Sequence, residues 1–104
     1  DAKALLCSDK SDRWIYLSAK GHLELALMLE IRRYERIGAR KGYAICGLKK
    51  TNKELARFFA VTDQSMSRAT LALERRGLVD VVDGVLQLRY AAILAAAKTK
   101  GWTA

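Results

Sequence analysis

A mainly α chain with one small antiparallel β-sheet is predicted by three observations. Apolar residues recur at helical spacing over residues 18–37. Two further helical stretches meet at a tight turn near Val61. Two β-rich runs are separated by only Asp83-Gly84. The chain has 104 residues, enough for about one domain with its own core and little surplus.

Residues 1–17 form an N-terminal extension. A short helix over residues 2–7 is possible there, followed by an apolar anchor, Trp14-Ile15-Tyr16-Leu17. The long helix of residues 18–37 comes next, with Ser18 as N-cap and Gly38 as its stop. Leu23, Leu27, Ile31 and Tyr34 make one apolar stripe, and Leu25, Met28 and Leu29 add a second. Residues 43–46, between Gly42 and Gly47, read as a short strand. Thr51 and Glu54 have the spacing of a capping box, which starts a helix that ends near Ala60. Thr62 or Asp63 caps the following helix, and Gly77 ends it. In residues 78–90, Asp83-Gly84 supplies the positive φ angles of a type I′ hairpin turn. An Ala-rich helix over residues 91–99 completes the chain.

The predicted order is helix, strand, helix, helix, strand, strand, helix. Its middle is a winged helix-turn-helix, with residues 51–76 as the helix-turn-helix and extra helices at both ends. A three-helix domain with an incidental hairpin is the other topology that these elements allow.

The net charge of +8 attracts a polyanion. Its placement is informative. Between Arg32 and Arg57 lie nine basic residues and only two acidic ones, Glu35 and Glu54, so this segment carries +7. Basic charge gathered in one segment is the electrostatic footprint of a nucleic-acid binder. No apolar run approaches the roughly 20 residues that cross a bilayer. The chain begins without Met or a signal-like apolar stretch, as expected of a trimmed or excised domain. Cys7 and Cys46 suit free thiols in a reducing cytosol, and a single disulfide is the alternative. Neither has the CxxC spacing of a zinc site. A phosphate-binding glycine loop and paired carboxylates are both missing, and His22 is the sole histidine. The expectation is therefore a protein that is not an enzyme and uses no cofactor or metal.

Within residues 51–78, Leu55, Phe58 and Phe59 give the first helix its apolar surface, and Ala56 permits close helix approach. Val61 plugs the turn, while Met66, Ala69, Leu73 and Leu78 face the core. Asp63, Gln64, Ser65, Ser67 and Arg68 are left exposed at the start of the second helix, the part that enters the major groove in this motif. The stretch from Thr51 to Leu78 resembles, without a gap, the DNA-binding domain of the catabolite activator protein and FNR family of bacterial regulators. The resemblance rests on Thr51/Glu54, Thr62, Arg68 and the Leu73-Glu74 to Gly77-Leu78 exit. It covers about a third of the chain, or half with the wing. Ala60 stands where that family often has a turn glycine, and the family's effector-binding β-barrel has no counterpart here.

The resemblance implies base reading by Asp63, Gln64 and Arg68. Arg68 can donate two hydrogen bonds to guanine, Gln64 can pair with adenine, and Asp63 can accept from cytosine or simply cap the helix. Ser67 lets the helix sit deep and joins this set. Lys49, Lys50, Thr51, Lys53, Arg57 and Ser65 are the phosphate-contact candidates. The wing tip, Val82-Asp83-Gly84-Val85, has no cation and is expected to add little affinity for DNA.

These observations lead to an expected double-stranded DNA-binding protein, cytoplasmic and nucleoid-associated when bound, that regulates transcription. A replication or partition module of a plasmid or phage would use the same surface. A protein-interaction winged helix is the competing class. Surplus apolar surface at Leu25, Met28, Leu29, Ile93 and Leu94 suggests a homodimer, which would match paired half-sites. The sequence does not name an effector.

Overall fold

A computed structural model describes residues 10–100. Helices α1 (Lys10–Ser18), α2 (His22–Lys41), α3 (Asn52–Phe59) and α4 (Asp63–Arg75) come first. A hairpin of β1 (Val79–Val82) and β2 (Val85–Leu88) follows, and then α5 (Tyr90–Thr99). The fold is mainly helical with one two-stranded antiparallel sheet. A helix-turn-helix followed by a hairpin matches the predicted fold class. The suggested helix over residues 2–7 and Cys7 lie outside the described residues.

Short-range rules build the helix-turn-helix. Thr51 Oγ1 accepts the Glu54 N–H at 3.2 Å, and the Glu54 carboxylate accepts the Thr51 N–H at 3.2 Å, so the capping box is complete. Thr62 caps α4 by accepting the Ser65 N–H at 3.0 Å. Between the helices, Ala60 adopts the left-handed conformation at φ 56° and ψ 46°. The turn therefore keeps a glycine-like backbone on an alanine, at a cost of roughly 1–2 kcal/mol. Leu55, Ala56, Met66, Ala69, Leu73 and Leu78 are buried as expected. Phe58 departs from the expectation and is 53 % exposed.

The hairpin follows its turn residues. Val82 pairs with Val85, and both turn residues have positive φ, 52° at Asp83 and 76° at Gly84. On the far side of β2, Leu48 exchanges two backbone hydrogen bonds with Leu86, at 3.0 and 2.9 Å.

Three sequence expectations are corrected around α2. Ser18 does not cap it; this residue is buried in the last turn of α1 and donates its hydroxyl hydrogen to Ile15 O at 3.1 Å. The apolar anchor is itself helical, with Trp14 and Ile15 buried where α1 packs on α5 and α2. Gly38 does not stop the helix. It lies inside α2, where a Cβ would come within 3.1 Å of Cys46 Cβ and Sγ, so its small size admits the returning loop. The stop is Gly42, left-handed at φ 77°. Residues 43–46 do not form a strand, because the Tyr43 N–H closes the helix end on Gly38 O at 3.0 Å. The predicted third strand shrinks to the single Leu48–Leu86 bridge.

The terminal helices hide residues expected on the surface. Met28 and Ile93 are fully buried in the chain's own core and present no surface to a second copy. Leu25, Leu29 and Leu94 are half-buried against that core. A polar group crosses the same region. The buried Arg32 guanidinium places Nε 2.6 Å from Asp12 Oδ1 and donates from Nη1 to Tyr90 Oη at 3.4 Å. Tyr90 in turn donates to Glu35 Oε1 at 3.1 Å. Burial raises the Glu35 carboxyl from 4.5 to about 7, against the lowering effects of the Tyr90 hydroxyl, the Leu88 backbone and Arg32. Burial also pushes the Tyr90 phenol up, and the nearby Glu35 charge adds to this. No helix among the described residues is long and apolar enough to cross a membrane.

Candidate nucleic-acid interface

The cap at Thr62 fixes where α4 begins, and its buried residues fix how it is rotated. Met66, Ala69, Thr70 and Leu73 face inward. Asp63, Gln64, Ser67 and Arg68 consequently share the exposed side of its N-terminal half. Among the described residues, the Asp63, Gln64 and Arg68 side chains make no ion pair or hydrogen bond. Their donors and acceptors are not used by other described side chains.

Leu71 extends the same stripe. It follows Gln64, Ser67 and Arg68 at helical spacing and is 45 % exposed. Its apolar surface could meet a thymine methyl group. The sequence reading missed it, although the spacing 64, 67, 68, 71 was visible. Thr70 was also missed. Its hydroxyl lies 3.0 Å from Met66 O and 3.2 Å from Asn52 Oδ1, tying α4 to the first residue of α3. No periodicity signals that contact, because it depends on how the two helices cross.

The phosphate-contact candidates fall into three groups. Lys49, Lys53 and Arg57 are exposed beside α3 and make no ion pair among the described residues. Lys50 is half-buried, its ammonium 5.6 Å from the Tyr34 ring centre and 5.0 Å from that of Phe58. Thr51 and Ser65 take part in caps. The Thr51 hydroxyl points its donor at Glu54 Oε1, 3.1 Å away, and is already satisfied. Ser65 Oγ accepts from Thr62 at 2.9 Å and keeps its own hydrogen to donate.

The charge footprint also changes in detail. Arg32 leaves it, being buried against Asp12, and Glu35 leaves it too. Eight cations of the segment remain exposed or half-buried; within the segment Glu54 opposes them, and Glu30 pairs with Arg33. At the wing, Asp80 pairs with Arg89 at 3.5 Å, and Val81 and Val82 are exposed. No group of three or more metal-ligating side chains occurs among the described residues. No family model, curated protein or solved structure is significantly similar to this chain.

Proposed function

We propose that this chain binds double-stranded DNA sequence-specifically, with α4 in the major groove, and acts as a transcription regulator. The observation that carries the reading is the exposed, unpaired stripe of Gln64, Ser67 and Arg68 behind Asp63, flanked by Lys49, Lys53 and Arg57. Arg68 gives two donors to guanine, Gln64 pairs with adenine, and the flanking cations hold the backbone in register. The resemblance of residues 51–78 to the catabolite activator protein and FNR family supports the same orientation. A replication or partition module would bind DNA through these same residues. In this reading the protein acts in the cytoplasm, on the nucleoid. A two-fold dimer would join through Leu25, Leu29 and Leu94, the members of the expected dimer set that keep some exposure.

A second reading, a protein-interaction winged helix, is favoured by Phe58, Val81 and Val82. These are large apolar side chains left exposed on α3 and the wing beside an anionic tip. Anisotropy titration of a mixed-sequence duplex in graded salt separates the two. The DNA reading expects binding at low salt that weakens steeply as salt rises. A selected site should then lose about 1–3 kcal/mol with Arg68→Ala, together with base preference at one position. Absence of binding at low salt would favour the protein-interaction reading.

A further inference from the structure

We propose that the solvent face of α2 is a second phosphate-contact surface, carried by Arg36 and Arg40 with Arg33 beside them. It would grip nucleic-acid backbone outside the stretch under α4, and it rests on the DNA-binding reading above. The face holds a groove of about 400 Å³ lined by four arginines, Leu29, Ile37 and Asp12. Asp12, the only carboxylate there among the described residues, is already engaged by Arg32 at 2.6 Å. Arg33 has Glu30 at 2.6 Å. Arg36 and Arg40 make no ion pair or hydrogen bond among the described residues.

Their placement works against the helix. Three and four residues from Arg36 along α2, the charged neighbours are Arg32, Arg33 and Arg40, and Arg40 has only Arg36. Like charges at that spacing repel and destabilise a helix. A bound polyanion reverses the sign of this effect. The cations also continue toward α3. The Arg33 guanidinium lies 4.8 Å from the Tyr34 ring centre, and Lys50 sits between that ring and Phe58 at 5.6 and 5.0 Å. The groove thus joins the flank of the helix-turn-helix through alternating cations and aromatic rings. Arg33 to Arg40 spans roughly 10 Å of helix, enough for Arg36 and Arg40 to reach neighbouring phosphates of one strand. The groove offers mostly guanidinium donors, so it suits phosphates better than base edges.

The test is the salt dependence of binding to a random-sequence duplex of roughly three helical turns. Each phosphate contact contributes about 0.9 to the slope of log K against log salt, so Arg36→Gln/Arg40→Gln should flatten it by about 1.8. Arg36→Lys/Arg40→Lys, which keeps the charge, should restore most of the slope. Thermal melts of both double variants separate lost binding from unfolding: relief of the repulsion from Arg32 and Arg33 is set against loss of the Arg40 cation from the last turn of α2, so the Gln pair should melt close to the parent chain. Lys53→Gln/Arg57→Gln serves as the comparison for the helix-turn-helix. An unchanged slope for the α2 pair, with a flattened slope for the α3 pair, overturns this proposal and leaves the α4 reading standing. The reverse result upholds the α2 surface and removes the α4 reading. Saturable amide shifts at Arg36 and Arg40 with inorganic pyrophosphate, alongside an unchanged duplex slope, would make the groove a small-anion site and also overturn the proposal. A chain that binds no duplex at all defeats both.

Discussion

In the helix-turn-helix, polar side chains act on partners three residues away: Thr51 with Glu54, Thr62 with Ser65. Where α1, α2 and α5 meet, they act across the chain: Arg32 reaches Tyr90 over 58 residues, and Tyr90 reaches Glu35 over 55. The first region closes its helix starts locally, has Thr70 to Asn52 as a longer polar link, and turns its remaining polar side chains outward. The second turns charged groups inward and satisfies them with one another. Side chains available to a ligand therefore collect on α3, α4 and the solvent face of α2, while Arg32, Glu35 and Tyr90 serve the fold. Arg32 and Arg68 look alike in the sequence, and this difference separates them.

That separation can be broken most severely at Arg32. Arg32→Ala removes a buried cation and leaves Glu35 and Tyr90 without it, so it should cost about 3–5 kcal/mol in denaturant unfolding. Arg68→Ala should change stability by less than about 0.5 kcal/mol, because Arg68 is exposed and unpaired. Equal effects from the two variants would erase the distinction.

Acidity sharpens the comparison next. Glu35 keeps its proton up to about pH 7 in the folded chain, whereas the ordinary value is 4.5. Between these limits the folded state binds more protons than the unfolded one. Stability from this group is therefore fully present below 4.5 and is lost as pH rises through about 7, by at most about 3 kcal/mol. Glu35→Gln preserves an acceptor for Tyr90 and the Leu88 backbone. It should flatten the profile and raise stability at pH 8. A thermal melt that rises between pH 5 and pH 8 in the parent chain, or the same slope in both proteins, would contradict this account.

The smallest effect is expected in the turn. Ala60→Gly relieves the left-handed strain but adds backbone freedom to the unfolded chain, so a net gain of about 0.5–1 kcal/mol is expected in thermal unfolding. A loss would mean that the Ala60 methyl makes a contact worth more than the strain it imposes.

The same contrast explains what the sequence made legible. The capping box, the Thr62 cap, the hairpin turn and the exposed side of α4 depend on residues close in sequence, and each was readable from spacing. The strand expected at residues 43–46 failed because the end of α2 took the Tyr43 N–H. Gly38 looked like a stop because its real purpose, room for Cys46, depends on a loop returning from outside the helix. Met28 and Ile93 looked surplus because one helix's pattern does not show that α1 and α5 cover the core beside it. Within the candidate site, Leu71 was recoverable from period alone. The Lys50 position between Tyr34 and Phe58 was not, since it depends on how α2 lies against the segment before α3.

Amide chemical-shift mapping during titration with duplex DNA tests most directly the claim that α4 carries the function. The largest perturbations are expected over Asp63 to Arg68, with Leu71 included and Lys53 and Arg57 following. The buried Arg32, Glu35 and Tyr90 group should move little. Perturbations centred on Phe58, Val81 and Val82 with Gln64 and Arg68 unmoved would contradict the claim, as would a spectrum that duplex DNA leaves unchanged at low salt.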